Sequence, residues 1–298
     1  MNYETFKTTT VSSLQKHFGS QAAVSLHSIL KNNNIQLDGL TIYDSSVNIS
    51  PTLYLNDYYD DYLAGTPFDD VLKDIIETYK KHLPKESMDF SFFTDYDKVK
   101  FQIIYKLINY EQNQFLLKDV PHFRFLDLAV VFCCFLPDTP NGAASILIHN
   151  SHLNFWNIQT EQLYGLAAAN TPILLPYTID SMEHTLRSLC PKLWEGAHVS
   201  QTKENPMMYV LSNSEKLYGA SAILYPEVLS YFAGKLNSDL YILPSSIHEV
   251  LLLPIQPDTA PYELNCIIRD VNQSHVLKEE ILSDHVYIFR QNLGFVTQ

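Results

Sequence analysis

Residues 239–254 read DLYILPSSIHEVLLLP. Two short apolar runs, LYIL at 240–243 and VLLLP at 250–254, have the length and composition of buried strands. Between them stands a polar knot: Ser245, Ser246, Ile247, His248 and Glu249. Burying polar groups without partners costs about 1–3 kcal/mol each, so a knot in such a place has a physical reason. It is either a binding or catalytic site, or a strand corner in which the serine hydroxyls satisfy backbone groups. A serine–histidine–acid relay confined to these residues does not close. On an extended strand Ser246 and His248 share a face with Cβ atoms roughly 7 Å apart, and Glu249 points to the other face. A site here would recruit polar residues from neighbouring strand ends, and Asn213 and Asn170 are the candidates.

Outward from the knot, the pattern predicts helices over Pro226 to Leu236 and Pro261 to Asn272, with strands at Met207 to Ser212 and His285 to Arg290. Further upstream it predicts a strand over Phe125 to Leu136, a hairpin over Ala144 to Trp156 turning near Asn150, and a helix from Thr160 to Asn170 stopped by Pro172. A short strand at Ile173 to Leu175 and a helix from Ile179 to Leu189 follow, then a loop from Lys192 to Pro206. The N-terminal part begins with a helix over Tyr3 to Phe18. A meander of strands comes next at Ala23 to Lys31, Ile35 to Tyr43 and Val47 to Leu55, with a turn at Asn32, Asn33 and Asn34. A helix opens at Thr66 and Pro67, with Asp69 and Asp70 at its positive end and Val71, Leu72, Ile75, Ile76 and Tyr79 on one face. A second long helix is expected near Tyr96 to Leu117, apolar over a wide arc. The fold class is therefore α+β, mostly antiparallel sheets with helices on one face, in two lobes. Pro121 is the expected junction: residues 1–120 form the first lobe, and 121–298 form the second and carry the corner.

Gly142-Ala-Ala-Ser-Ile-Leu-Ile and Gly219-Ala-Ser-Ala-Ile-Leu-Tyr echo each other. A duplicated strand–strand–helix–strand unit would explain the echo, and so would coincidence in an apolar alphabet.

Composition narrows the function. The chain has 298 residues, 46% hydrophobic and 18% charged, which describes a core-forming protein rather than a disordered one. A net charge of −13 repels phosphate backbones, so nucleic-acid binding is disfavoured. The longest unbroken apolar run, Leu128 to Leu136, is too short to span a bilayer, and the first ten residues lack the features of a signal peptide. A cytoplasmic location is the expectation. Only nine glycines are present and they stand far apart, so no phosphate-cradling loop and no nucleophile elbow can be drawn. Four cysteines with no C-x-x-C spacing give no zinc motif, and no cofactor is expected.

Other polar features have plainer readings beside functional ones. His149 and His152 could bind a metal with a third ligand, or simply flank a turn. The run from Asn56 to Tyr62, NDYYDDY, could present carboxylates to a basic partner, or be a solvated face whose tyrosines bury their rings. Asp127, at the start of an apolar strand, is either a buried carboxylate with partners or a strand-end residue near solvent.

The segments NISPTLYLNDYYDDYLAG (48–65), KLINYEQNQFLL (106–117), FLDLAVVF (125–132), NTPILLP (170–176), MYVLSN (208–213), LYILPSSIHEVLLLP (240–254) and LSDHVY (282–287) together resemble the bacterial domain-of-unknown-function 5688 family. The resemblance spans nearly the whole chain. It implies a bacterial cytoplasmic protein of one recurring architecture, and it carries over neither an activity nor catalytic residues. The leading expectation is a non-catalytic interaction or regulatory protein whose partner is another protein. The alternative is a hydrolase or small-ligand-binding protein with its site around Ser245, Ser246, His248 and Glu249. An acidic nucleic-acid mimic comes third.

Overall fold

The computed structural model describes all residues except 45–47, 85, 86, 88, 90, 140, 141 and 190–207. Helix α1 (Tyr3–Phe18) starts at Asn2, whose side chain accepts the Thr5 N–H at 2.9 Å, and ends at Gly19. Strands β1 (Ala22–Leu30), β2 (Gln36–Asp44) and β3 (Thr52–Tyr54) form a three-stranded antiparallel sheet, as the meander predicts. The third strand is shorter than expected: among the described residues it begins only at Thr52, after Pro51, and it ends before Leu55, the first residue of α2 (Leu55–Leu63). Helix α3 (Phe68–His82) has Asp69 and Asp70 in its first turn and Lys80, Lys81 and His82 in its last, matching the helix dipole at both ends. Val71, Ile75 and Tyr79 of α3 meet Phe6 and Leu14 of α1 and Leu40 and Ile42 of β2 in one core cluster. The tyrosines of the NDYYDDY run, Tyr58, Tyr59 and Tyr62, pack their rings against it.

Two short helices, α4 (Ser91–Thr94) and α5 (Tyr96–Val99), lead into the second sheet. Here the expected long helix gives way to strand β4 (Ile103–Asn109). Every residue of β4 except Lys106 is buried, so its apolar positions face both sides of a sheet, and such a run mimics a wide helical arc. β4 pairs antiparallel with β6 (Leu128–Thr139), which also pairs with β5 (His122–Phe125) and β7 (Gly142–Leu147). Pro121 therefore lies inside the span of one sheet: β4 precedes it, and β6, its partner from Ile103↔Cys134 to Asn109↔Leu128, follows it.

The expected hairpin after β7 is instead helix α6 (Asn150–Trp156), opened by a reciprocal cap in which the His149 N–H donates to His152 Nδ1 at 3.0 Å. Helix α7 (Thr160–Leu174) runs through Pro172 rather than stopping before it. Its last turn is pinned to β4: the Tyr105 N–H donates to Thr171 Oγ1 at 3.1 Å, and Asn170 Nδ2 donates to the Lys100 and Ile103 carbonyls.

The third sheet has six antiparallel strands in the order β13-β12-β10-β11-β9-β8. These are β8 (Tyr177–Ser181), β9 (Tyr209–Asn213), β10 (Leu240–Leu243), β11 (Val250–Pro254), β12 (Tyr287–Arg290) and β13 (Phe295–Thr297). Residues expected to be helical from Ile179 begin as strand β8, and α8 (Met182–Leu189) follows. The expected loop from Lys192 to Pro206 lies outside the described residues. Helix α9 (Val228–Leu236) covers the inner face of this sheet, where Leu211, Ile242, Val250, Leu252 and Phe289 join β4 and β6 in the main core. Helix α10 (Pro261–Ser274) covers the outer face through Leu264 and Ile268, against Tyr241, Leu243 and Leu253. The two echoing segments differ in conformation: Gly142–Leu147 is strand β7, whereas Gly219–Leu224 is a 3-10 helix. They are not copies of one structural unit.

Candidate functional site

The Pro244-to-Glu249 corner is held by backbone hydrogen bonds to residues 280–283. Ser283 N–H donates to the Pro244 carbonyl at 2.9 Å, Leu282 N–H to the Ser245 carbonyl at 3.1 Å, and Ile247 N–H to the Glu280 carbonyl at 2.9 Å. Ser246, only 5% exposed, bridges to Ile281, and its hydroxyl accepts the backbone N–H of His248 at 3.0 Å. That hydroxyl thus meets the His248 backbone. The His248 ring lies parallel to Tyr218 at 6.0 Å, with Nδ1 3.1 Å from the Lys216 carbonyl oxygen and Nε2 3.6 Å from Glu280 Oε1.

The same 278–282 stretch receives the N-terminal turn. Asn33, in the left-handed region with φ 59°, donates through Nδ2 to the Lys278 and Ile281 carbonyls at 2.8 and 2.7 Å. Its N–H donates to Asn113 Oδ1 at 2.8 Å, and Asn113 Nδ2 returns a hydrogen bond to Asn33 Oδ1 at 2.9 Å. Residues 278–283 therefore tie the turn of the N-terminal sheet, the end of β4 through Asn109 and the corner of the six-stranded sheet together.

Asn213, 1% exposed, closes the turn after β9 by pairing with both the N–H and the carbonyl of Leu217. Asn170 holds α7 to the entry of β4, as described above. Neither side chain is hydrogen-bonded to the corner. Asp127 is not a solvated strand end: its side chain is 17% exposed and accepts from Ser283 Oγ at 2.6 Å and Tyr287 OH at 2.5 Å, with His285 Nδ1 at 3.1 Å. His149 Nδ1 lies 2.8 Å from Asp119 Oδ2, a carboxylate contributed by another segment. Among the described residues no group of His, Cys, Asp and Glu is arranged to hold a metal ion.

Of the corner residues, Glu249 lines a hollow. A cleft of about 410 Å³ lies between α8 and the outer face of the sheet, lined by Thr178, Asp180, Ser212, Lys216, Glu249 and residues of α8. Strand register explains the lining. Thr178 pairs with Ser212 and Asp180 with Val210, and Leu251 pairs with Val210 on the next strand, so alternate residues of three strands share this face. Burial pushes the Glu249 carboxyl above the usual carboxylate range; neighbouring Glu280 adds to this, while His248 and Lys216 oppose it.

The cleft opens beside β8, which is the last strand of the sheet and pairs only with β9 among the described residues. A second, shallower hollow of about 560 Å³ lies on the inner face of the same strand, lined by Tyr177, Ile179, Tyr209, Tyr231, Phe232 and Lys235 among others. Asp180 and His184 line both hollows. Among the described residues, this strand edge without a second partner strand, with a hollow on each of its faces, is the most site-like geometry. None of its β8 and α8 residues was singled out from sequence. The signal was present in Thr178, Ile179 and the alternation with Asp180 after Pro176, but it was absorbed into the expected helix.

The chain is thus an α+β protein of three antiparallel sheets, and none of its described helices is long and apolar enough to cross a membrane. It belongs to the family of unknown function DUF5688, whose model matches residues 3–291. No curated protein and no solved structure matches it.

Proposed function

We propose that this protein is a non-catalytic recognition protein that takes an extended segment of a partner protein onto the free edge of β8. The observation that carries this reading is the free edge itself, flanked on both faces by hollows. Strand addition draws affinity from main-chain hydrogen bonds and specificity from pockets that receive alternate side chains. β8 carries only some of the features that blunt an edge, its short length and Asp180 among them. It contains no proline or lysine, and its pairing with β9 runs without a bulge from Tyr177↔Asn213 to Ser181↔Tyr209. Exposed apolar residues cluster around it: Tyr177 is 41% exposed, Leu186 43%, Tyr231 66% and Ile173 76%. The Pro244-to-Glu249 corner supports the site from behind by fixing β10 against β11 and delivering Glu249 to the outer cleft.

The test is affinity capture from the protein's own cell lysate. Wild type is run beside Tyr177→Asp and Asp180→Arg, with Tyr262→Asp on the exposed face of α10 as a surface control. A partner kept by wild type and by the Tyr262 variant, and lost by both β8 variants, supports the reading. A partner retained by both β8 variants places recognition elsewhere and overturns it.

A further inference from the structure

We infer that the occupant of β8 is an extended segment whose side chains alternate between basic and apolar. This rests on the reading of β8 as a docking edge and specifies what that edge selects. Side chains of an added strand point alternately to the two faces of the sheet, so they enter the two hollows in turn.

The hollows differ in chemistry. The outer one presents Asp180 and the half-buried Glu249 with the hydroxyls of Thr178 and Ser212. A Lys or Arg entering here pairs with Asp180 and adds to the positive charge that His248 and Lys216 already direct at Glu249. Lys216 lines the same hollow and favours the ionised form of Glu249, so two carboxylates stand there against one lysine. The inner hollow presents the rings of Tyr177, Tyr209 and Tyr231 with Ile179, a surface for apolar or aromatic side chains. Asp180 and Lys235 both line it, one charge of each sign, against two carboxylates and one lysine in the outer hollow, and that imbalance directs a basic side chain to the outer hollow and sets the register of an alternating segment. β8 is five residues long, so an added strand places about two or three side chains in each hollow.

Charge also argues against self-pairing. A second copy of this chain added at the same edge would set Asp180 near Asp180, and each copy carries a net charge of −13. A basic segment meets the opposite situation on the local and the whole-molecule scale.

The experiment uses three fluorescently labelled heptapeptides and the full chain. One alternates lysine and phenylalanine, the second has the same composition with its lysines and phenylalanines segregated, and the third alternates threonine and phenylalanine. Each is also made with a photo-crosslinking benzophenone at its central position. The alternating basic peptide is expected to bind at least roughly tenfold more tightly than either other peptide, and to cross-link within 177–184. Asp180→Asn combined with Glu249→Gln is expected to remove most of that advantage, and Tyr262→Asp to leave it intact. If the segregated peptide binds as tightly, attraction is only net charge and the inference falls. If the threonine peptide binds as tightly and cross-links at β8, the edge docks strands but selects no basic residues, so this inference falls while the proposed function stands. If no peptide cross-links at β8, both fall together.

Discussion

The side-chain amide of Asn33 reaches two carbonyls some 245 residues away in the chain, at Lys278 and Ile281, while its backbone adopts φ 59°. The two roles separate by mutation. Asn33→Gly keeps the left-handed conformation and loses the amide, which leaves buried partners unsatisfied and is expected to cost about 2–4 kcal/mol. Asn33→Ala loses the amide and adds a conformational penalty, so it should cost about 1 kcal/mol more. Urea denaturation of both variants measures the difference, and equal losses would show that the backbone conformation carries no strain. The turn itself is legible from three consecutive asparagines. Its long-range partners are not, because nothing local in the sequence marks a carbonyl at 278 or 281 as an acceptor. Glu249 gives a pH prediction. Its folded-state pKa is raised by burial, so the folded chain holds an extra proton between the ordinary carboxylate value and the raised one. Stability contributed at this site is present at low pH and lost as pH rises through that window. Glu249→Gln should therefore be more stable than wild type near about pH 7, with the gap closing toward about pH 4, where both states of wild type bind the proton. Thermal melts at the two pH values check this, and a gap that widens on acidification would contradict it.

At the scale of elements, the strands around 239–254, the N-terminal meander and helices α1, α3, α9 and α10 are legible from period and caps. β4 is not. Val99, Ile103, Ile104, Leu107 and Ile108 satisfy a helical spacing, yet Ile104 and Ile108 face one side of the sheet while Ile103 and Leu107 face the other. A strand buried on both faces has no alternation to reveal it, so periodicity alone does not separate it from a buried helix. β8 escapes sequence reading for a different reason: five residues of strand run directly into α8, and the helix expected from Ile179 takes in the last three of them. The glycines of α7 and of the 3-10 segment make opposite predictions. Gly165 lies in α7 with open space where a Cβ would sit, so Gly165→Ala should stabilise by about 0.5–1 kcal/mol. A Cβ on Gly219 would run into Ser212 Oγ and the His248 carbonyl, and lie 2.9 Å from the Asn213 nitrogen. Two of those three neighbours are backbone, so Gly219→Ala should cost about 3 kcal/mol or more, or prevent folding. Melting temperatures of the two variants should move in opposite directions.

On the scale of the whole molecule, the chain passes from the central sheet to the six-stranded sheet while residues 278–283 stitch the parts together. They receive Asn32 and Asn33 from the first sheet, Asn109 from the second and the corner residues from the third. The polar knot that stands out in the sequence is part of this junction, and of its members Glu249 lines the cleft. Sequence pattern thus picks out the knot and Glu249 within it, but the strand edge on which the functional reading rests depends on sheet order, which no local pattern encodes. That edge is the centre of the functional reading, and amide hydrogen exchange reports on it directly. In the free protein the outward amides of Tyr177–Ser181 should exchange much faster than those of Tyr209, Val210 and Leu211, which pair on both sides. Saturation with the alternating basic peptide should slow exchange within Tyr177–Ser181 and leave β13, at the far edge of the same sheet, unchanged. Outward amides of β8 already protected before any peptide is added, or left unprotected at saturation, would contradict the reading of this strand as the docking edge.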